Sequence, residues 1–157
     1  APWRMDYVGK DAAPDGCIFC IQGIPHQDRQ RLVLFRGHHG FIIMNRYPYS
    51  NGHLMVVPHR HTSEIEDLSS AERLEIFDLL VRARQVLNRC LKPQGYNIGI
   101  NLGKVGGAGV TEHVHLHIVP RWLGDTNFMP VFADVRVIPE HLEATYETLR
   151  QAFEEMG

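Results

Sequence analysis

The stretch EHVHLHIVPRW, residues 112–122, places a histidine at every second position: His113, His115 and His117. A β-strand turns residues i, i+2 and i+4 to one face, so the three imidazoles project together. Their alternates Val114, Leu116 and Ile118 then face a core. Neighbouring histidine α-carbons would lie roughly 6–7 Å apart, from a rise of about 3.3 Å per residue. Three readings fit this row. Paired strand histidines can converge on a zinc ion, although a three-histidine zinc site calls for an acceptor to orient each ring. The one nearby acid, Glu112, points to the opposite face. A neutral imidazole is also a nucleophile for phosphorus, with a second imidazole donating to phosphate oxygens. The plainest reading is a half-exposed strand carrying polar side chains. Spacing alone does not choose between zinc and nucleophile.

Further candidate ligands lie near the N-terminus. Cys17 and Cys20 in CIFC have the spacing of half a zinc site, and PHRHTSEI (58–65) offers His59 and His61 to complete it. The pair could equally be redox-active or two buried thiols, but a thioredoxin-type site would need a strand before it and a helix after it. Cys90 falls on a helical apolar stripe and reads as core. His26, His38, His39 and His141 fall in loops or at a helix start and receive no role.

These groups need a scaffold, and 157 residues suffice for one domain with an ordinary core. Hydrophobic and charged fractions of 44% and 22% are those of a globular protein. A net charge of −2 excludes a general polyanion binder, so any phosphate recognition must come from a few local donors. Apolar runs such as FIIM (41–44) are too short to cross a bilayer, and APWRMDYVGK has no signal-peptide core. An odd count of three cysteines argues for a reducing compartment, so the expected location is the cytoplasm.

Residues 1–30 read as an irregular arm. RLVLFRG (31–37) and HGFIIMN (39–45) read as paired strands, and RYPYSNG (46–52) as a turn before a strand at 53–57. A helix follows, opened by a Ser69–Glu72 capping box, with a stripe of Ile76, Leu80, Ala83, Leu87 and Leu91 and an end at Lys92-Pro93 with Gly95. YNIGINLG (96–103), the glycine-rich loop KVGGAGVT (104–111) and the histidine strand form a hairpin with a long tip. Leu142, Tyr146, Leu149 and Phe153 mark a C-terminal helix over 139–157. Clustered strands with inserted helices predict an α+β fold with a mainly antiparallel, five-stranded sheet and two helices.

HVHLHIV matches His-φ-His-φ-His-φ-φ, and the chain resembles the histidine triad (HIT) family of nucleotide hydrolases and transferases. The resemblance extends to GFIIMNRYPYSNGHLMVVP (40–58), GINLG (99–103) and PRWLGDTNFMPV (120–131). PWRM and RWLGDTNFMPV look most like the short bacterial branch that includes diadenosine tetraphosphate phosphorylases. The resemblance implies a homodimeric α+β subunit in which His115 attacks the α-phosphorus to form a nucleotidyl-histidine, and His117 donates to a phosphate oxygen. It implies that Asn45 contacts the ribose, that His53 lies in the nucleoside pocket, and that Asn101 faces the phosphates. The backbone N–H groups of Gly106, Gly107, Ala108 and Gly109 offer an anion nest. It also implies a structural zinc on Cys17, Cys20, His61 and His113, with His59 as the rival to His61. Trp122 and Phe128 follow the triad, where they would reach the partner subunit's nucleotide site or pack in the interface.

One departure bears on the reaction. The hydrolase branch carries Gln or Ser just before the triad, and here Gly109-Val110 stands there. Either backbone amides replace that side chain, or the space admits phosphate instead of water. The expected substrate is an adenine dinucleoside polyphosphate or AMP-type nucleotide, with inorganic phosphate as acceptor in a phosphorylase. No organic cofactor, nucleic-acid polymer or membrane is expected. Dinucleoside polyphosphate hydrolase, nucleoside phosphoramidase, a nucleotide-binding sensor and a zinc hydrolase are the alternatives.

Overall fold

The computed structural model describes residues 16–125 and 139–157. Among them, the expected α+β architecture is present. Five strands, β1 (Val33–Arg36), β2 (Gly40–Met44), β3 (Leu54–Pro58), β4 (Gly95–Ile100) and β5 (Leu116–Arg121), form one antiparallel sheet in the order β1-β2-β3-β5-β4. The hairpin β4–β5 therefore returns its second strand to the sheet centre, beside β3. No described helix is long and apolar enough to cross a membrane.

Strand alternation divides the core in two. On one face, Leu34, Ile42, Met44, Leu54, Val56 and Ile118 pack under the two long helices, α2 (Ser70–Leu91) and α3 (Pro139–Met156). On the other, Val33, Phe41, Ile43, Met55 and Val57 pack against Cys17, Ile18, Phe19 and Ile21 of the arm. With both faces covered, every residue of β2 and β3 is buried, as happens when a sheet is sandwiched. In the arm, Cys17, Ile18, Phe19 and Ile21 form a buried layer without periodicity, and a 3₁₀ turn (Pro25–Gln27) and one helical turn, α1 (Asp28–Arg31), follow.

The capping box holds: Ser69 Oγ accepts from the Glu72 N–H at 3.1 Å, and Glu72 Oε1 accepts from the Ser69 N–H at 2.8 Å. The buried stripe of α2 is broader than expected, with Leu79 and Val86 joining Leu80, Ala83 and Leu87, while Ile76 and Leu91 sit at its margin. Its end is also different. Lys92, not a glycine, takes the left-handed cap at φ 49°, and Gly95 opens β4 instead. Tyr146, Leu149 and Phe153 of α3 are buried, and the Tyr146 hydroxyl donates to the Val33 carbonyl at 2.9 Å. Phe128 lies outside the described residues.

Helix α2 approaches the sheet closely at Gly40, where an added Cβ would lie 2.6 Å from the Val57 carbonyl oxygen and 2.8 Å from Ile76 Cδ1. Gly99, in β4, has nothing within 4 Å of the same position. Gly40→Ala is expected to destabilise the fold by about 1–3 kcal/mol through overpacking. Gly99→Ala should be neutral by the same urea-denaturation measurement.

Candidate active site

The triad histidines are equally spaced in sequence and unequally placed in the fold. Only His117 lies within paired strand, opposite Met55 on β3 and Gly99 on β4. His113 and His115 precede β5, where the Val114 N–H bonds the Thr62 carbonyl at 2.7 Å rather than extending the ladder. His113 is fully buried, its Nε2 bonded to the Pro58 carbonyl at 2.8 Å. A carbonyl only accepts, so Nε2 carries the proton and Nδ1 presents its lone pair toward Cys17 Sγ at 3.4 Å and Cys20 Sγ at 3.7 Å. In His115 the assignment is reversed. Its Nδ1 donates to the His113 carbonyl at 2.9 Å, which leaves Nε2 as the basic atom of the ring.

A chain of neutral donors orients His117. The Tyr49 amide donates to His53 Nδ1 at 3.2 Å, so His53 bears its proton on Nε2, which lies 2.9 Å from His117 Nδ1. His117 Nδ1 therefore accepts, and its Nε2–H remains as a donor. Burial first, then the neighbouring His117 and His115, push the pKa of His53 down to about 3, so this ring is neutral at physiological pH.

His115 and His117 line a cleft with Asn45, Asn101, Gly107 and Gly109. Ile18, Phe19, Tyr47, Tyr49, Met55 and Val110 complete it, and of these the sequence had pointed only to Val110. Strand alternation alone could have flagged Met55, which pairs with His117 across β3 and β5. Among the described residues, the cleft lining carries no formally charged side chain. His53 is 1% exposed and stands behind His117, in contact with that ring rather than among the residues that line this cleft. Two of the four nest amides are engaged within the loop: the Gly107 N–H bonds the Lys104 carbonyl and the Ala108 N–H the Gly103 carbonyl, each at 3.1 Å, because the loop folds back on itself. A larger cleft of about 650 Å³, between the α1 region and α3, lies away from the triad and has Arg29, Arg150, Glu147 and Glu154 on its walls.

Residues 27–122 match the model of the HIT domain. The chain belongs to the histidine triad family. It is 43% identical over 155 residues to the AP-4-A phosphorylase of Mycobacterium tuberculosis, a match that covers 94% of this chain and 80% of that protein. A zinc-bound histidine triad family protein of Mycobacterium smegmatis superposes with a TM-score of 0.70 at 28% identity, covering 89% of this chain and 94% of that one. A hypothetical histidine triad nucleotide-binding protein of Sulfolobus tokodaii gives 0.72 at 22% identity, with coverage of 89% and 93%, and supports the fold alone.

In this HIT domain, Cys17, Cys20, His61 and His113 form a group able to hold a metal ion, with all four ligand atoms within 4.8 Å of one another. Arms of about 2.3 Å to sulfur and about 2.0–2.1 Å to nitrogen give a tetrahedron whose S–N edge is about 3.5 Å. The observed S–N separations involving His113 are 3.4 and 3.7 Å, and Cys20 Sγ lies 3.2 Å from His61 Nδ1. Burial pushes the Cys17 thiol pKa up, so a thiolate there calls for a cation beside it. The outer bond from His113 to Pro58 is the orienting contact a ligand imidazole uses. His59 is directed elsewhere, with its Nε2 on the Gly37 carbonyl at 3.1 Å and its ring stacked on Phe41. Cys90 packs beside the helix-face core, as expected.

The neutral His53 has a consequence for stability. Its pKa falls from an ordinary 6.5 to about 3 on folding, so the unfolded chain takes up a proton that the folded chain refuses. The associated stability is present above pH 6.5 and is lost as the pH falls through the window down to about 3. Between about pH 7 and about pH 5 the expected loss from this one group is about 2 kcal/mol. Urea midpoints at the two pH values should therefore converge by that amount in His53→Asn relative to the parent. Identical acid sensitivity of parent and variant would mean that His53 is charged in the fold.

Proposed function

We propose that the chain transfers a nucleotidyl group from a dinucleoside polyphosphate to inorganic phosphate, converting diadenosine tetraphosphate to ADP and ATP. The observation that carries this reading is the bond from His115 Nδ1 to the His113 carbonyl, which leaves a basic Nε2 on a ring lining the cleft. In the first step the Nε2 lone pair forms a bond to the α-phosphorus, and the bond from that phosphorus to the bridging oxygen breaks. ATP leaves, and AMP remains on His115. In the second step an oxygen of inorganic phosphate attacks the same phosphorus, the P–N bond breaks, and ADP departs with His115 restored. His117 Nε2–H donates to a phosphate oxygen in both steps, held to that tautomer by His53. Asn45 meets the ribose, and Asn101 with the Gly107–Ala108–Gly109 turn faces the phosphates. Val110 supports phosphate as the acceptor, because its apolar side chain packs with the arm and offers no group to hold an attacking water. The similarity to a protein named AP-4-A phosphorylase points the same way.

Zinc at Cys17, Cys20, His61 and His113 belongs to the same reading. A Cys2His2 shell is closed and charge-neutral, so the ion would brace the site and leave the chemistry to His115. The bracing is direct: the side chain of His113 is a ligand, and its carbonyl holds the nucleophile. The zinc-bound relative supports this choice of ion. The chain is further read as a cytoplasmic homodimer. Leu74, Phe77 and Val81 form an exposed apolar stripe on α2, and Tyr96 of β4 reaches Asn88 and Arg84 on its continuation. Ile98 and Ile100 extend the apolar surface along that edge strand, where a second copy would cover it.

Three experiments test these assignments. With labelled phosphate, diadenosine tetraphosphate should yield label in ADP. Release of AMP at an equal rate without phosphate would sink the phosphorylase and leave a hydrolase. His115→Asn should reduce turnover by about a thousandfold or more while retaining nucleotide binding, the reverse of what a sensor requires. Metal analysis of protein purified without added zinc should find one zinc per chain, lost in Cys17→Ser together with thermal stability. A parent protein free of stoichiometric metal would remove the zinc.

A further inference from the structure

The peptide that joins His113 to Val114 is bonded on both sides. Its carbonyl accepts the His115 Nδ1 proton at 2.9 Å, and its N–H donates to the Thr62 carbonyl at 2.7 Å. A planar trans peptide points these two groups in opposite directions, so the bond to Thr62 sets the direction of the carbonyl. The buried His113 ring fixes where that residue stands, and the direction of the peptide is a further degree of freedom. The plane can turn through paired rotation about ψ of His113 and φ of Val114. A turned plane would present its N–H to His115 in place of the carbonyl. Nδ1 would then have to accept, the proton would move to Nε2, and the ring would lose the lone pair that makes it a nucleophile.

Thr62 is itself held in place. Its buried hydroxyl donates to Asp67 Oδ2 at 2.6 Å and accepts the Glu64 N–H at 3.0 Å, so the side chain is engaged as donor and acceptor at once. Asp67 ends the 3₁₀ turn Ile65–Asp67, and its own N–H bonds the Glu64 carbonyl at 3.2 Å. The Thr62 side chain thus ties its backbone to a short, closed turn. We propose that Thr62 and Asp67 are positioning residues for the nucleophile: their bond holds the Thr62 carbonyl against the 113–114 peptide and so keeps the His115 proton on Nδ1. The Val114 N–H bond also polarises the peptide, which makes the His113 carbonyl a better acceptor. Neither side chain lines the cleft, so their effect reaches a substrate through His115. This rests on the reading of His115 as the nucleophile and adds to it the device that keeps the ring in its reactive tautomer.

The test compares Thr62→Val, which keeps the shape and removes the hydroxyl, with Thr62→Ser, which keeps the hydroxyl. Asp67→Ala, at an exposed position, removes the other partner and decides the matter if Thr62→Val does not fold. The first readout is the nitrogen chemical shifts of the His115 ring at about pH 8, where an ordinary histidine is neutral. The parent should carry its proton on Nδ1, and Thr62→Val and Asp67→Ala should shift it toward Nε2. The second readout is transfer of AMP from diadenosine tetraphosphate to His115. At saturating substrate its rate should fall by about tenfold in both variants, with the half-saturating concentration unchanged, and should recover in Thr62→Ser. Metal content and urea midpoint should stay at the parent's values. Parental ring shifts and rate in the variants would overturn the proposal. A loss that Thr62→Ser shares, or one that comes with loss of metal or fold, would overturn it too, since Thr62 would then merely support the neighbouring His61 or the turn. A parent that forms no AMP adduct refutes the nucleotidyl-transfer reading instead, and the ring shifts then decide the peptide lock by themselves.

Discussion

The carbonyl of His113 accepts the Nδ1 proton of His115 at 2.9 Å, and the chemistry of the site depends on where that carbonyl stands. Imidazole is ambidentate: either nitrogen can hold the proton, and only the other can attack. A fixed acceptor at Nδ1 chooses Nε2 before any substrate arrives. The carbonyl is fixed because His113 is fully buried and held at both ring nitrogens, by Pro58 on one side and by the cysteine group on the other. Phe19 strengthens the same joint. It sits between Cys17 and Cys20 in sequence, and its ring meets His113 at 5.6 Å and His115 at 5.0 Å. The cysteine–histidine group and the His115 ring are thus joined through the backbone of residues 113–115.

The second constraint is charge. Among the described residues the cleft lining has no formally charged side chain, so a polyanion received there would be met by oriented neutral donors. The line from the Tyr49 amide through His53 to His117 fits that demand. Each ring accepts at Nδ1 and donates at Nε2, and the buried His53 resists protonation. A neutral relay of this kind fixes direction without placing a permanent charge beside the nucleophile, which would lower its basicity.

The sheet and the capping box were legible in the sequence because they follow from periodicity and cap chemistry. The position of His53 was less so. Its spacing shows that it opens β3, but the partner it orients lies 64 residues away, and no local pattern encodes that contact. The closure of the glycine loop was hidden for a related reason: glycine content announces freedom of φ, while the use of each N–H depends on how the loop closes, here on Lys104 and Gly103. The burial of Ile18, Phe19 and Ile21 against a sheet face was not legible, because irregular chain leaves no period to detect. The choice of His61 over His59 came from the resemblance. The structure accounts for it by geometry, since His59 is occupied at the Gly37 carbonyl.

The two faces of the sheet carry different duties, and the register of β5 enforces the separation. Leu54 pairs with Ile118, Met55 with His117 and Val56 with Leu116. Ile118 therefore enters the core under α2 and α3, with Leu116 at its margin, and His117 turns to the arm side with Met55. A slip of one residue would carry Leu116 and Ile118 to the cleft and drive His117 into the helix-face core. Burying an imidazole there without partners would oppose the slip, as would exposing the two aliphatic residues. The alternation that spaces the histidines for chemistry is thus the same feature that fixes the strand in place. In this fold the site is aligned by the hydrophobic core directly behind it.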